Sequence, residues 1–561
     1  MKNFLLVNPR FVNKGEYYNF PLGLGYVSSF LKQRGFNVYC LNLCHFDKNI
    51  STEDILREYI EKYNIDVFCT GTLSWYWDEI DYILKLARKI KPNIINIVGG
   101  AIVISDPDLA LKNLDMDIGI MGEGEITMAE LAEKIDKGED TSNVQGITLL
   151  KDGKVVITPP RPVIDNLDSL PFPDYEGYGF EEWKTLIRRT NYIQVADKSN
   201  INYSEIIGSR SCPFRCTFCY HHLGDKYRQR SLDNIFMEIE HLINNYGINY
   251  FYFLDELFSA NHQRMLEFAE RIKKYNIVGW GGSFRVNDVS LEVLKTLKGT
   301  GLKYTGYGIE NINDCILESM KKKITIAEIE KALESNRQAK MVYSGNIIYG
   351  DPAETEETAK KTLKYIFEHP QYNFSQVFLR PIPNSEVYQL ALKRGIIKDR
   401  LEHVKKRFPI VNLTKMSDRK FYKLFSQINW IDESIKHIKQ GKIINSELKK
   451  SSSEINIYKF EAECPFCKTT SYYEREFENL KKIPLICQNC ISTFYVPGSF
   501  VFPGKYKSIT ANLDYFKKFV MAYSLRFKFY RKHGRKILSV LIKTKRMIKS
   551  SFSILKSKFN K

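Results

Sequence analysis

The feature that most restricts this chain is the loop Ser209-Arg210-Ser211-Cys212-Pro213-Phe214-Arg215-Cys216-Thr217-Phe218-Cys219-Tyr220, with three cysteines at C-x3-C-x2-C spacing. The run before it, Tyr203 to Gly208, reads as a buried strand, so the loop leaves the end of a core element. Soft thiolates select iron–sulfur clusters, zinc or copper(I). A structural zinc site needs four protein ligands and this loop offers three; His221 and His222 follow the last cysteine too closely to complete a tetrahedron. A [4Fe–4S] cubane held by three thiolates keeps one iron open to another ligand. Three buried structural cysteines are the alternative, but packing alone gives no reason for them to crowd into one loop.

The chain of 561 residues is long enough for three or more domains. No apolar run approaches a membrane span, and Phe4-Leu5-Leu6-Val7 is too short for a signal peptide. Seven of the eleven cysteines fall in two tight, ligand-like groups, which suits a reducing cytoplasm better than a disulfide scaffold. The net charge of +18 resides in the tail: Tyr515 to Lys561 holds 15 Lys or Arg and no acid, leaving 68 basic against 65 acidic residues before it.

Residues 1–140 alternate short β runs (Phe4–Asn8, Asn37–Asn42, Val67–Gly71, Ile94–Val98, Ile118–Met121) with amphipathic stretches near 22–34, 51–63, 78–90 and 125–136. That alternation predicts a doubly wound parallel sheet, whose ligands bind at the carboxyl ends of the strands. Those ends carry Thr70-Gly71-Thr72, Gly99-Gly100 and Gly122-Glu123-Gly124-Glu125. Residues 145–158 read as a hairpin turning at Asp152-Gly153, and the prolines of Leu167 to Asp174 favour an extended linker.

After the cysteine loop, further strand-plus-helix units follow, with strands ending near Glu256, Arg285, Glu310, Gly350 and Arg380. Six such units predict an open partial (β/α)6 barrel with its site at the strand ends. Asp255, Glu256, Arg285, Glu310 and Gln376 all follow hydrophobic runs there, although solvated loop charges would look the same. Cys315 falls in a predicted helix and reads as a core residue.

With the C-x3-C-x2-C loop after a first strand and Phe218 just before the third cysteine, the chain resembles the radical S-adenosylmethionine (SAM) enzymes. The resemblance implies that Cys212, Cys216 and Cys219 ligate a [4Fe–4S] cluster and that SAM chelates the fourth iron. One electron then splits the sulfonium to a 5′-deoxyadenosyl radical. It further implies that Phe218 and Tyr220 flank the adenine and that Asp255 and Glu256 meet the SAM amino group. Arg285 and Glu310 would contact its carboxylate or ribose, and the fifth strand with Gly345 and Gly350 would pass under adenine. Pro21-Leu22-Gly23-Leu24-Gly25, Val98-Gly99-Gly100 and Gly122-Glu123-Gly124-Glu125 resemble the cobalamin-binding domain fused to many of these enzymes. Gly23, Thr72, Gly99, Gly100, Gly122 and Glu123 would then contact the corrin. There is no Asp-x-His-x-x-Gly motif, and Ile102 stands where relatives often have His. The implied cobalamin therefore has its dimethylbenzimidazole base off cobalt, with no histidine of this domain on the metal; His45 reads as a surface residue. Alternatives are a domain that no longer binds cobalamin, with the Gly-Glu-Gly-Glu run only starting a helix, where Glu125 is favourable.

In the C-terminal third, Cys464-Pro465-Phe466-Cys467 and Cys487-Gln488-Asn489-Cys490 form two C-x2-C knuckles separated by 19 residues. Four thiolates on two turns predict a structural zinc ribbon, with an auxiliary iron–sulfur cluster as the alternative. The tail sets Ile537, Leu541 and Ile548 on one helical face among basic residues, the pattern of an element lying on a membrane surface. A solvated or partner-bound tail is its rival, and the lack of an RNA-recognition motif disfavours nucleic acid.

The expected fold is α/β. It comprises a cobalamin-binding-like sheet (1–140), a hairpin and linker (141–200), the partial barrel (201–430), a helical segment with the four-cysteine ribbon (431–510) and the basic tail (511–561). The expected function is methylation of an unactivated carbon or phosphorus of a small-molecule or carrier-bound substrate. It draws electrons from a donor such as flavodoxin or ferredoxin, with methylcobalamin as methyl donor and a second SAM to restore it. Rival readings are a rearrangement or cyclisation without methyl transfer, and a cobalamin- or redox-responsive binding protein. Cys40, Cys44 and Cys69 do not form the second cluster site a methylthiotransferase would need.

Overall fold

Four consecutive residues of the first strand, Phe4 to Val7, are fully buried, so both faces of its sheet are covered, as parallel sheets require. The structure is a computed structural model and describes residues 1–189, 200–220, 224, 226–451, 456–477 and 482–497. His221, His222 and the basic tail lie outside the described residues.

The N-terminal sheet contains β1 (Asn3–Asn8), β2 (Asn37–Asn42), β3 (Val67–Gly71), β4 (Ile95–Gly99), β5 (Ile118–Ile120), β6 (Ile147–Lys151) and β7 (Lys154–Ile157), in the order β2-β1-β3-β4-β5-β6-β7. β1 to β5 run parallel. Its helices are α1 (Leu22–Gln33), α2 (Thr52–Lys62), α3 (Trp77–Ile90), α4 (Ala101–Ile104), α5 (Pro107–Asn113) and α6 (Gly124–Lys137). Ser51 caps α2 by accepting from the Asp54 N–H, and Gly138 ends α6 in the left-handed conformation open to glycine. The hairpin assigned to the linker belongs to this sheet instead: β6 pairs antiparallel with β5, Ile118 opposite Leu149, and so covers an otherwise open edge. The linker is docked as well. Asp174 accepts from Ser28 Oγ at 2.6 Å and Lys32 Nζ at 2.7 Å, both on α1.

The second sheet begins with β8 (Tyr203–Ile206), which is followed by a short ladder of β9 (Ser209–Arg210) with β10 (Arg228–Gln229). It continues through β11 (Tyr250–Phe253), β12 (Gly279–Phe284), β13 (Leu302–Glu310), β14 (Val342–Tyr349) and β15 (Phe374–Phe378). The order is β8-β11-β12-β13-β14-β15, and the pairs from β8 to β14 are parallel. Phe253, Phe258, Phe268 and Trp280 pack edge-to-face or tilted at 4.6–5.5 Å between strands and the helix His262–Ile272. That aromatic layer fixes the strands from their outer face and leaves their ends to carry chemistry.

Chain contacts divide the molecule into two compact units. Met1–Ile348, Val377–Val411 and Glu474–Glu476 form one; Tyr349–Gln376, Asn412–Tyr473 and Phe477–Lys561 form the other. The first unites the N-terminal sheet with most of the barrel. The second holds the helices Glu356–Glu368 and Asp418–Ile438, then β16 (Lys442–Ser451), β17 (Asn456–Glu463), β18 (Thr470–Phe477) apart from Glu474–Glu476, β19 (Lys482–Ile486) and β20 (Thr493–Pro497). Among the described residues no helix is long and apolar enough to cross a membrane.

Candidate active site

In the first unit, a cavity of about 820 Å³ opens at the carboxyl ends of β1, β3, β4 and β5. Gly23, Thr72, Gly99, Gly100, Gly122 and Glu123 all line it, and from the barrel side so do Ile207, Arg210 and Leu254. Its size and mostly apolar wall suit a large flat cofactor. The glycines make the room. A Cβ on Gly71 would lie 2.5 Å from the Gly99 carbonyl oxygen, so these two strand ends approach as only bare backbone can. Gly122 has φ +78°, the left-handed region, and a Cβ on it or on Gly23 would meet no atom within 4 Å. These residues fit a corrin. Among the described residues no histidine lines the cavity. His45 is not the surface residue expected: its side chain is only 15% exposed, and its Nε2 hydrogen-bonds the Tyr18 hydroxyl at 2.8 Å.

The cysteine loop begins where β9 ends. Ser211 takes a left-handed φ of 67°, which turns the chain into Cys212. Arg215 donates to the Cys212 and Phe214 carbonyls at 2.6 and 3.0 Å, closing the loop on itself. Burial pushes all three thiols up, Cys219 to about 12, so they ionise only with a compensating cation beside them.

Other sequence-predicted residues surround this loop, in roles set by what they touch. The Arg285 guanidinium lies 3.5 Å from the centroid of the Phe214 ring and donates to the Lys322 and Lys323 carbonyls at 2.9 and 2.8 Å. Glu310, at φ 65° and buried, accepts from Lys322 Nζ at 3.1 Å; burial raises its pKa despite that partner. Glu256 is exposed and within Coulombic reach of Cys212 and Cys219. Asp255 is engaged elsewhere: its two oxygens accept from the Gly208 N–H at 2.6 Å and the Ser209 hydroxyl at 2.7 Å, clamping the turn before the cysteines. Phe218 is half-buried in the loop, whereas the Tyr220 hydroxyl points at α4, 3.5 Å from the Ala101 carbonyl. Gly345 pairs with Tyr307 in the β13–β14 register. Gly350 falls in the second unit, where its N–H donates to Glu354 at 2.6 Å; Gln376, also there, bonds Tyr349 and Asp432. Cys315 is exposed rather than in the core, on a helix of only six residues.

Three groups escaped the sequence reading. Glu205 on β8 is fully buried and accepts from the hydroxyls of Tyr17 (2.6 Å) and Tyr203 (3.3 Å), the Asn19 amide (2.9 Å) and the Phe20 N–H (3.0 Å). Tyr17, Asn19 and Phe20 line the cavity, so Glu205 fastens part of its wall to the barrel; burial lifts its pKa to about 7. Lys322 carries no distinguishing sequence signal, since it sits in a run of three lysines. Arg210 and Arg228 pair with the Gly-Glu-Gly-Glu run at 2.6–3.0 Å.

A model of the radical SAM superfamily matches residues 206–366, and one of the B12-binding domain matches residues 11–132. The chain joins a B12-binding domain to a radical SAM domain. Such a radical SAM domain implies a [4Fe–4S] cluster and SAM, and the B12-binding domain implies cobalamin. An "uncharacterized methyltransferase" of Pyrococcus horikoshii is 28% identical over 386 residues, covering 67% of this chain and 79% of that one. The anaerobic magnesium-protoporphyrin IX monomethyl ester cyclase of Rubrivivax gelatinosus is 28% identical over 382 residues, 66% of each chain. Among solved structures, the radical SAM methyltransferase TsrM of Kitasatospora setae superposes with a TM-score of 0.58 at 19% identity, over 70% of this chain and 77% of that one. The same protein has been solved with cobalamin and a [4Fe–4S] cluster bound.

The second unit holds a further metal-competent site. The sulfurs of Cys464, Cys467, Cys487 and Cys490 lie within 4.8 Å of one another. The two knuckles repeat one geometry. Lys468 N–H and Ile491 N–H each donate at 3.0 Å to the carbonyl of the first cysteine, and Lys468 and Ile491 both take left-handed φ, 60° and 57°. Mutual contact drives Cys490 well below the usual thiol pKa and Cys464 well above it, so the set shares negative charge. Four converging sulfurs fit tetrahedral zinc, with no coordination position left for a substrate.

Proposed function

We propose that this chain is a cobalamin-dependent radical SAM methyltransferase acting on an unactivated carbon or phosphorus centre. The observation that carries the reading is the placement of Arg210: it lines the strand-end cavity and lies two residues before Cys212, so the two cofactor sites share a wall. When bound, cluster and SAM supply a radical that removes a substrate hydrogen, and the corrin supplies a methyl group.

The chain's own residues do the rest. Cys212, Cys216 and Cys219 hold the cluster, and Asp255 fixes the turn that presents them. Arg285, Lys322 and Glu310 form a buried charged wall beside Cys216, suited to the charged amino-acid end of SAM. Gly23, Thr72, Gly99, Gly100, Gly122 and Glu123 receive the corrin and keep water from the reacting centre. The substrate is a small or carrier-bound molecule, and a one-electron donor such as flavodoxin or ferredoxin serves the cluster. The basic tail is suited to contact with an anionic membrane surface.

Anaerobic incubation with SAM and dithionite tests the radical step: wild type should release 5′-deoxyadenosine and Cys216→Ala none. Equal yields would remove the cluster assignment. The cyclase relatives favour a second reading, rearrangement or ring closure without methyl transfer. Label from methyl-labelled SAM appearing in product separates the two.

A further inference from the structure

Four charged side chains are sealed between the cavity and the cysteine loop. Arg210 Nη1 donates to Glu123 Oε1 at 2.7 Å, and its Nη2 to Glu125 Oε1 at 2.6 Å. Arg228 Nη1 donates to both Glu123 oxygens, at 3.0 and 2.8 Å, and to the Ile164 carbonyl at 2.7 Å. Glu123 also accepts from the Ile164 N–H at 2.6 Å. All four side chains are 8% exposed or less. The set is neutral overall, and each oxygen of both carboxylates has a donor.

Such a network is a poor way to obtain stability. Withdrawing each ion from water costs several kcal/mol, and apolar side chains of the same volume often do as well or better. Its directionality is different in kind. A guanidinium fork meets two carboxylates at fixed angles, whereas apolar contacts slide. Its position matches that property. Glu123 and Glu125 stand at the start of α6, in the cavity wall, while Arg210 and Arg228 face each other across the β9–β10 ladder that leads into Cys212. The Tyr26 ring, on α1 and also lining the cavity, lies 5.4 Å from the Arg210 guanidinium.

We infer that Arg210 is a positioning residue: by bridging Glu123 and Glu125 it sets the distance and orientation between the cluster loop and the corrin cavity. The inference rests on the cofactor sites proposed above. It makes the Gly-Glu-Gly-Glu run a bearing between two cofactor domains as well as part of the ligand wall. Methyl and radical must reach the same substrate atom, and a looser joint would spread the productive geometry over many unproductive ones.

The test uses holoprotein with cob(II)alamin and the one-electron-reduced cluster, both paramagnetic, and reads their separation by pulsed dipolar EPR. The variants are Arg210→Lys, a point charge that cannot span both carboxylates, and the paired change Arg210→Met with Glu125→Met. The paired change leaves Glu123 with Arg228 and strands no lone charge, so folding is expected to survive. Wild type should give one narrow distance distribution, the paired variant a shifted and broadened one, and Lys an intermediate one, each read on molecules that hold both cofactors. A paired variant as narrow as wild type and at the same distance would overturn the inference and leave the cofactor reading standing. Wild type that takes up either cofactor but not both would overturn the cofactor reading, and is recognised without any variant.

Discussion

Asp255→Ala is the most direct probe of how the cysteine loop is held. The carboxylate is 3% exposed and receives two hydrogen bonds, from Gly208 N–H at 2.6 Å and Ser209 Oγ–H at 2.7 Å. Removing it strands two buried donors, each at about 1–3 kcal/mol. The Ser209 hydroxyl can rotate towards another acceptor and the Gly208 amide cannot, which places the expected loss at about 2–4 kcal/mol. Asp255→Asn keeps an acceptor for Gly208 and should cost about 1 kcal/mol. Because the chain has two units, global unfolding is a blunt measure. Hydrogen exchange of peptides covering 203–212, on metal-free reduced protein, reads the turn itself. The loss corresponds to exchange faster by about 30- to 1,000-fold for Ala and less than about tenfold for Asn. Iron uptake on anaerobic reconstitution should fall in the same order. Unchanged exchange in Asp255→Ala, with full iron and only weakened SAM binding, would refute the clamp and return Asp255 to the ligand role its resemblance implies.

Three other perturbations bear on separate parts. Burial raises Glu205 to about 7, so the folded protein favours its protonated form. Its contribution to stability is complete below about pH 4.5 and disappears as pH rises through about 7, amounting to at most about 3 kcal/mol. Glu205→Gln should flatten the pH dependence of thermal stability across that window, and an unaltered slope would show that Glu205 titrates elsewhere. Gly71→Ala forces a methyl against the Gly99 carbonyl oxygen, costing about 1–3 kcal/mol, whereas Gly23→Ala meets nothing within 4 Å and should fold as wild type while weakening cobalamin in a spectroscopic titration. Metal analysis of wild type should find one zinc per chain; Cys487→Ser should abolish it and leave the iron of the cysteine loop intact.

Much of the architecture was legible because burial on both faces writes continuous apolar runs, as in Phe4 to Val7, and because each glycine-bearing strand end is a local signal. The β6–β7 hairpin was also legible as a hairpin. Its place on β5 was not, since an antiparallel edge partner is a tertiary choice that no short-range pattern records. Cys315 shows the limit for short helices: six residues give too little periodicity to say which face is inside. The hidden part of the site is ionic. An acid at a strand end reads the same in sequence whether it meets a ligand or holds a turn, and the hydrogen bonds of Asp255 to Gly208 and Ser209 are invisible there. Arg210 and Glu205 carry no local signal because the partners named above, Tyr203 apart, lie 85 to 188 residues away.

The left-handed turn after each knuckle bears on how the ribbon would part with its metal. Lys468 is unbranched at Cβ, but Ile491 carries a β-branched side chain into a conformation that costs an L-residue about 1–2 kcal/mol. With thiolate–metal bonds in place that cost is easily carried. Once they are gone, the Cys487–Ile491 arm gains by swinging back to ordinary backbone angles while the Cys464–Lys468 arm gains less. Demetallation should therefore be lopsided, beginning as an opening of one jaw, and recapture of the ion would have to wind that jaw closed again.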